Sequence, residues 1–263
     1  MRSASPAVSV GRIVTAATVV MFVVPILVLT LEATSTSWFF PDPFPRHLTW
    51  NPLREAWANP AVRHAAVTGA TVSTVVTVLV VLVAWPAARV LARPGLRGRG
   101  MVIAILFLPS VLPGVGLAMG IDVALLRLHL AGGLPGVVIA HLVPTIPYGV
   151  AALTATFARH DWRIDAQAAV LGASPLQRLR LVTIPLLRSG AAAAAALVFV
   201  VSWSQYLLTV LAGSGRVVTI TMLLFSALSG GNTSTIGVLA LITALPAVLL
   251  VTAAGHQNAG ANR

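Results

Sequence analysis

Apolar positions in this chain do not alternate with polar ones at a short period. They run in blocks about as long as a bilayer is thick. Ile13–Leu31, Ala65–Ala88, Met101–Ile121, Leu134–Phe157, Ser189–Leu211 and Thr235–Ala254 contain no Asp, Glu, Lys or Arg. A helix of roughly 20 apolar residues crosses the hydrocarbon core, so the pattern predicts an all-α protein with six transmembrane helices. The first block is longer than the apolar core of a signal peptide. No small-x-small cleavage pattern precedes Glu32, so the block reads as an uncleaved span. A further apolar stretch, Val217–Leu228, is short for a crossing and reads as a re-entrant or interfacial segment.

The segments between the blocks differ in character. Thr34–Pro60 is rich in Pro and aromatic residues (Trp38, Phe39, Phe40, Phe44, Trp50, Trp57) and reads as an outer loop lying partly in the interface. A short helix is expected around Glu55–Trp57, ending at Asn59-Pro60. Asp122–Gly133 is a second outer segment. Arg89, Arg93, Arg97 and Arg99 crowd the turn at Pro94-Gly95, a cytoplasmic signature. The third block holds Pro109, Pro113, Gly114, Gly116 and Gly120. Such breakers are tolerated at membrane depth only where a neighbour or a cavity re-satisfies the backbone, so this span is expected to face the bundle interior.

Composition narrows the classes. The 263 residues are 57% hydrophobic and 9% charged, against about a quarter charged in a soluble domain. The net charge of +11 comes entirely from Arg. Arginines beside apolar spans point to a membrane surface and lipids rather than to nucleic acid. With both termini inside, about twelve of the 17 arginines fall on the cytoplasmic side, as the positive-inside rule asks. There is no Cys, hence no disulfide framework and no thiolate chemistry. There is also no Lys, and a phosphate-gripping Walker A loop requires one. If ATP drives this protein, another polypeptide binds it.

One inner segment carries a pattern of its own. In Asp161–Leu187, Ile164, Ala168 and Leu171 share a helical face, and Gly172 follows as a stop. Ser174-Pro175-Leu176-Gln177 then opens a second helix with a capping box, and Pro185 closes the unit before the fifth span. The segment reads either as a well-capped surface loop or as a docking element for a soluble partner.

Chemistry is sparse elsewhere. No spacing sets a nucleophile beside a base, no pair of His residues has ligand spacing, and neither a catalytic site, a metal site nor a cofactor is expected. His141 reads as a helix-contact residue. Ser202-Trp203-Ser204-Gln205-Tyr206 is a polar patch inside the fifth span. Ser202, Ser204, Gln205 and Tyr206 either line a solute path or hydrogen-bond neighbouring helices. All six acidic residues lie at or beyond span ends, which weighs against an ion-coupled secondary carrier, the alternative class.

From Gly172 the spacing runs nine residues to Val182, then Thr183, Ile184 and Pro185, and Ala168 precedes the Gly by four. This resembles the signature loop of permease subunits of binding-protein-dependent ABC importers: Glu-Ala-Ala, three residues, Gly, nine residues, Ile, one residue, Leu-Pro. Ala166 and Gln167 replace the Glu and first Ala, with Asp165 one residue earlier as a displaced acid. The stretch Leu108–Gly114 and the patch Ser202–Tyr206 are similar to permeases of polyamine, iron(III) and thiamine importers. The resemblance implies one transmembrane permease domain over 1–263 in the bacterial inner membrane, with a cytoplasmic coupling loop at 159–185. Asp165, Ala168, Gly172, Ala173, Ser174 and Pro185 are its coupling residues. It also implies two ATPase subunits, a second permease subunit, identical or homologous, and an extracytoplasmic solute-binding protein. The permease itself would hydrolyse nothing.

Overall fold

The computed structural model describes residues 6–35, 38, 42–231 and 233–261, with side chains described at 16–21, 23–35, 38, 42–231 and 233–250. Phe39 and Phe40, named above, lie outside the described residues. The described chain is helical, with an isolated bridge between Ser35 and Leu48. Five helices are long and apolar enough to cross a membrane, or six if one bent pair counts as a span. The chain forms two compact units, Met1–Arg63 with Leu223–Leu245, and His64–Met222 with Pro246–Arg263.

In the first unit, α1 (Pro6–Ala33) holds the first apolar block. Trp38 Nε1 donates to the Asp42 carbonyl at 2.8 Å, and Arg46 pairs with Asp42 at 3.0 Å. The helix expected near Glu55 is α2 (Asn51–Ala58). It abuts α3 (Pro60–Leu91) across Asn59. Ser234, near the start of α12 (Thr233–Ala261), donates to the Ser35 carbonyl at 2.7 Å.

The second unit is built on α3 and α6 (Leu134–Ala158). On α3, Val72, Val76, Val80, Ala84 and Ala88 recur every four residues and are all buried. That spacing places them on one face. They pack against Val137, Ala140, Val150, Leu153 and Phe157 of α6. At Gly149 of α6, a Cβ would lie 2.4 Å from Val80 Cγ1 and 3.2 Å from Val198 Cγ2. Only a residue without a side chain lets three helices converge there, the usual role of small residues in membrane bundles.

Two spans predicted as continuous are broken. The third block divides into α4 (Arg99–Val111) and α5 (Gly114–Arg127), bent by 95°. Pro113 has no N–H to continue the α4 ladder, and Leu112 before it is extended. α5 also continues to Arg127, through residues expected to begin an outer loop. The interior-facing expectation holds only in part: α5 buries Ala118 and Leu125 in the core, whereas the glycine breakers themselves face outward. α4 buries none of its described residues, and a Cβ at Gly114, Gly116 or Gly120 would meet open space.

The fifth block also breaks. α9 (Ile184–Trp203) stops at the polar patch, and α10 (Leu207–Gly213) resumes after Tyr206. The short apolar stretch near Val217 forms α11 (Ile220–Gly230).

Candidate functional site

The loop at 159–185 folds much as its sequence spells it. Asp161 caps α7 (Trp162–Val170) by accepting from the Arg163 N–H at 3.0 Å. Beyond Val170 the chain reverses through Gly172 at φ +87°, a conformation cheap only for glycine. Ala173 N–H donates to the Ala168 carbonyl and Gly172 N–H to the Ala169 carbonyl, both at 3.0 Å. This 6→1 and 5→2 pair is a Schellman closure. Ala168 and Ala173 thus act through their backbones, and their small side chains leave room for the turn. Ser174 then caps α8 (Pro175–Arg178), with both arms of the Ser174–Gln177 capping box present.

Pro185 does not end the unit. α8 runs through a π-turn, Leu179–Thr183, directly into α9, making one helix from Pro175 to Trp203. Ile184 N–H donates to the Leu179 carbonyl, five residues back. Widening the turn accommodates a ring that would otherwise strike the carbonyl four residues back.

Asp165 is the largest departure from the sequence reading. The resemblance implies that this displaced acid is a coupling residue. It is buried, and both carboxylate oxygens are used inside the chain. Oδ1 accepts from Thr183 Oγ1 at 2.8 Å, and Oδ2 pairs with His160 Nε2. Burial pushes the Asp165 carboxyl up. Hydrogen bonds from His160 and Thr183, with the charges of His160 and Arg89, outweigh it and hold the group below the ordinary carboxylate value. Around this pair, the Trp162 ring stacks on Phe157 with centroids 5.9 Å apart, and His160 meets Trp162 edge-on at 5.0 Å. Arg89 sits 5.6 Å over Trp162. The acid faces inward because α7 lays it beside the π-turn, a partner 18 residues away that local pattern does not reveal.

What the loop presents outward is apolar. Val170 and Leu171 are 88% and 87% exposed. They share a shallow surface depression with Arg163, Ala166 and Gln167, the two positions where the importer signature has Glu and Ala.

The polar patch at the far end of α9 is a built helix break. Ser202 is buried, and its Oγ lies 3.0 Å from His141 Nδ1. His141 Nε2 lies 3.0 Å from Thr209 Oγ1, and Thr209 donates its own proton to the Gln205 carbonyl at 2.9 Å. With that proton spent, Thr209 accepts from Nε2–H, and Nδ1 accepts from Ser202. His141 thus clamps α9 to α10 across the break, and the helix-bond reading holds for Ser202. Thr221 Oγ1 caps the freed Trp203 carbonyl at 2.9 Å. Ser204 is exposed, while Gln205 and Tyr206 are half-buried at the break. His141 and Thr209 were not assigned to this site from sequence; Thr209 four residues past Gln205 and a His in an apolar span were the available signals. The described residues contain no group of three or more His, Asp or Glu placed to hold a metal.

The described residues form five or six helices long and apolar enough to cross a membrane, a loop closed at Gly172 and a long helix running from it to a polar break. The chain belongs to the permease proteins of ABC importers. It is 30% identical over 207 residues to an ABC transporter permease protein of Streptomyces antibioticus, covering 78% of this chain and 90% of that one. It is 28% identical over 219 residues to a Salmonella typhimurium protein that carries the name 2-aminoethylphosphonate transport system permease protein PhnV, covering 81% and 80%. Among solved structures, a bacterial ABC transporter involved in the import of the acidic polysaccharide alginate shares the fold. Its TM-score is 0.68 at 16% identity, over 97% of this chain and 99% of that one. No protein-family model matches the chain.

Proposed function

We propose that this chain forms half of the pathway of an ATP-driven importer in the bacterial inner membrane, moving a small solute inward. Its two compact units work as one permease domain. α4 and α5 together make the third of six spans, and both termini are cytoplasmic. The loop at 159–185 docks in a separate ATPase subunit, one of two. Val170 and Leu171 enter that subunit's cleft, and Gly172, Ala168, Ala173 and Ser174 hold the reversal that presents them. A second permease subunit, identical or homologous, covers the open face of α4 and α5, where unpaired backbone beside Pro113 needs protein or water rather than lipid. A solute-binding protein delivers cargo from outside, and Ser204, Gln205 and Tyr206 line the path at the break in α9.

The observation that carries this reading is the loop tip. Two large apolar side chains stand almost fully exposed at the reversal, beside Arg163 and Gln167, and exposed apolar clusters with a polar rim mark interaction sites. The His141 ring nitrogens, both committed to hydroxyl groups, leave that buried histidine no free position for an ion-coupled cycle.

The test is reconstitution of the co-purified complex in proteoliposomes, with the ligand of its binding protein as cargo. Uptake should require ATP on the loop side and survive a protonophore. Uptake by this chain alone that collapses with the protonophore would replace the reading with a secondary carrier.

A further inference from the structure

We infer that Asp165, His160 and Thr183 form a hinge lock that makes the docking loop and α9 move as one body. This rests on the docking role of the loop proposed above. The loop has two arms, α7 and the α8–π–α9 helix, joined through Leu171–Ala173. Gly172 at φ +87° permits that joint to swing, and its own Schellman bonds are short-range. A force applied at Val170 and Leu171 would fold the joint rather than push α9 unless the arms are tied elsewhere.

They are tied at Asp165. Its Oδ1 accepts from Thr183 on the π-turn of the second arm, 18 positions along the chain, closing a ring around the Gly172 joint. Its Oδ2 pairs with His160, two positions past the last residue of α6. His160 meets Trp162, and Trp162 packs on Phe157 of α6 under Arg89 of α3. One carboxylate therefore joins both arms of the loop to the ends of two core helices. The lock is buried, so water does not compete for its bonds.

From Ile184 to Trp203, α9 extends about 30 Å to the His141-clamped break. A displacement of the locked loop would travel through continuous helix to Trp203, at the break that holds Gln205 and Tyr206. Thr183 and His160 are thus positioning residues for transport, though neither reaches the solute or the docking surface.

The test uses spin labels on Val170→Cys and Leu197→Cys in the co-purified complex, straightforward in a chain without native cysteine. With the lock intact, the distance between labels keeps one narrow distribution with and without ATP plus orthovanadate. Thr183→Val removes the donor at nearly constant shape and should broaden or shift that distribution on vanadate trapping. Thr183→Ser, which keeps the hydroxyl, should restore it. An unchanged narrow distribution in Thr183→Val overturns the lock. Failure of the docking reading is separate: the Val170 label would then stay as mobile in the complex as in the isolated chain.

Discussion

His141 Nδ1 lies 3.0 Å from Ser202 Oγ, a bond between residues 61 positions apart that joins the middle of α6 to the end of α9. With Thr209 on the other ring nitrogen, it holds a broken membrane helix at a fixed angle. His141→Ala would take the acceptor from the Ser202 hydroxyl, leave Thr209 with its Gln205 bond alone, and open a void where the ring stood. The expected cost is about 2–4 kcal/mol, read as a lower thermal midpoint of the purified protein in detergent. His141→Asn should lose less than the alanine variant, since an amide can replace one of the two bonds.

Gly172→Val places a β-branched residue at φ +87°. The strain is roughly 1–3 kcal/mol, but it falls on an exposed turn rather than in the bundle. Membrane insertion should be normal, while ATP hydrolysis by the complex no longer drives uptake. The check is the ratio of solute taken up to phosphate released. An unchanged ratio would remove the turn from the coupling path.

Gly149→Ala tests the convergence of α3, α6 and α9. The new Cβ would sit 2.4 Å from Val80 Cγ1, and overpacking of this kind costs about 1–3 kcal/mol. Its thermal midpoint should fall. Val80→Ala in the same chain should recover part of the loss, because the opposing methyl groups are gone.

The buried carboxylate predicts an acid limb. The pKa of Asp165 is lowered in the folded protein. The group therefore stabilises the fold above its unfolded value, about 4, and that contribution is lost as pH falls through the lower folded value. Stability measured downward from pH 7 should hold until roughly pH 4 and then decline. Asp165→Asn should be less stable at neutral pH and show a shallower decline. An acid limb of the same size in both proteins would show that other carboxyl groups cause it.

Legibility from sequence followed range. The turn at Gly172 and the Ser174–Gln177 capping box are written in residues within a few positions of one another, and the structure has both. The length of the apolar blocks likewise anticipated the helices. What escaped was set by partners distant in sequence or by a choice between two tolerable outcomes. Asp165 meets Thr183 only once α7 folds back on the π-turn. Pro113 breaks its helix by 95°, whereas Pro185 is absorbed by a widened turn, and the local sequence of each proline permits either result. The polar patch at Ser202–Tyr206 was visible, but its division into an inward Ser202 and an outward Ser204 depends on His141.

The most direct test of the account is cross-linking from the tip of the loop. A Val170→Cys chain, in membranes containing its native partners, is treated with a short thiol-to-amine cross-linker. The account predicts one dominant product, joined to a subunit that carries a Walker A nucleotide-binding loop, and loss of that product when the membrane-impermeant thiol reagent is applied first from the loop side only. A Val170 thiol that reacts from the outer side, or that cross-links to no ATPase in a membrane active in transport, would contradict it.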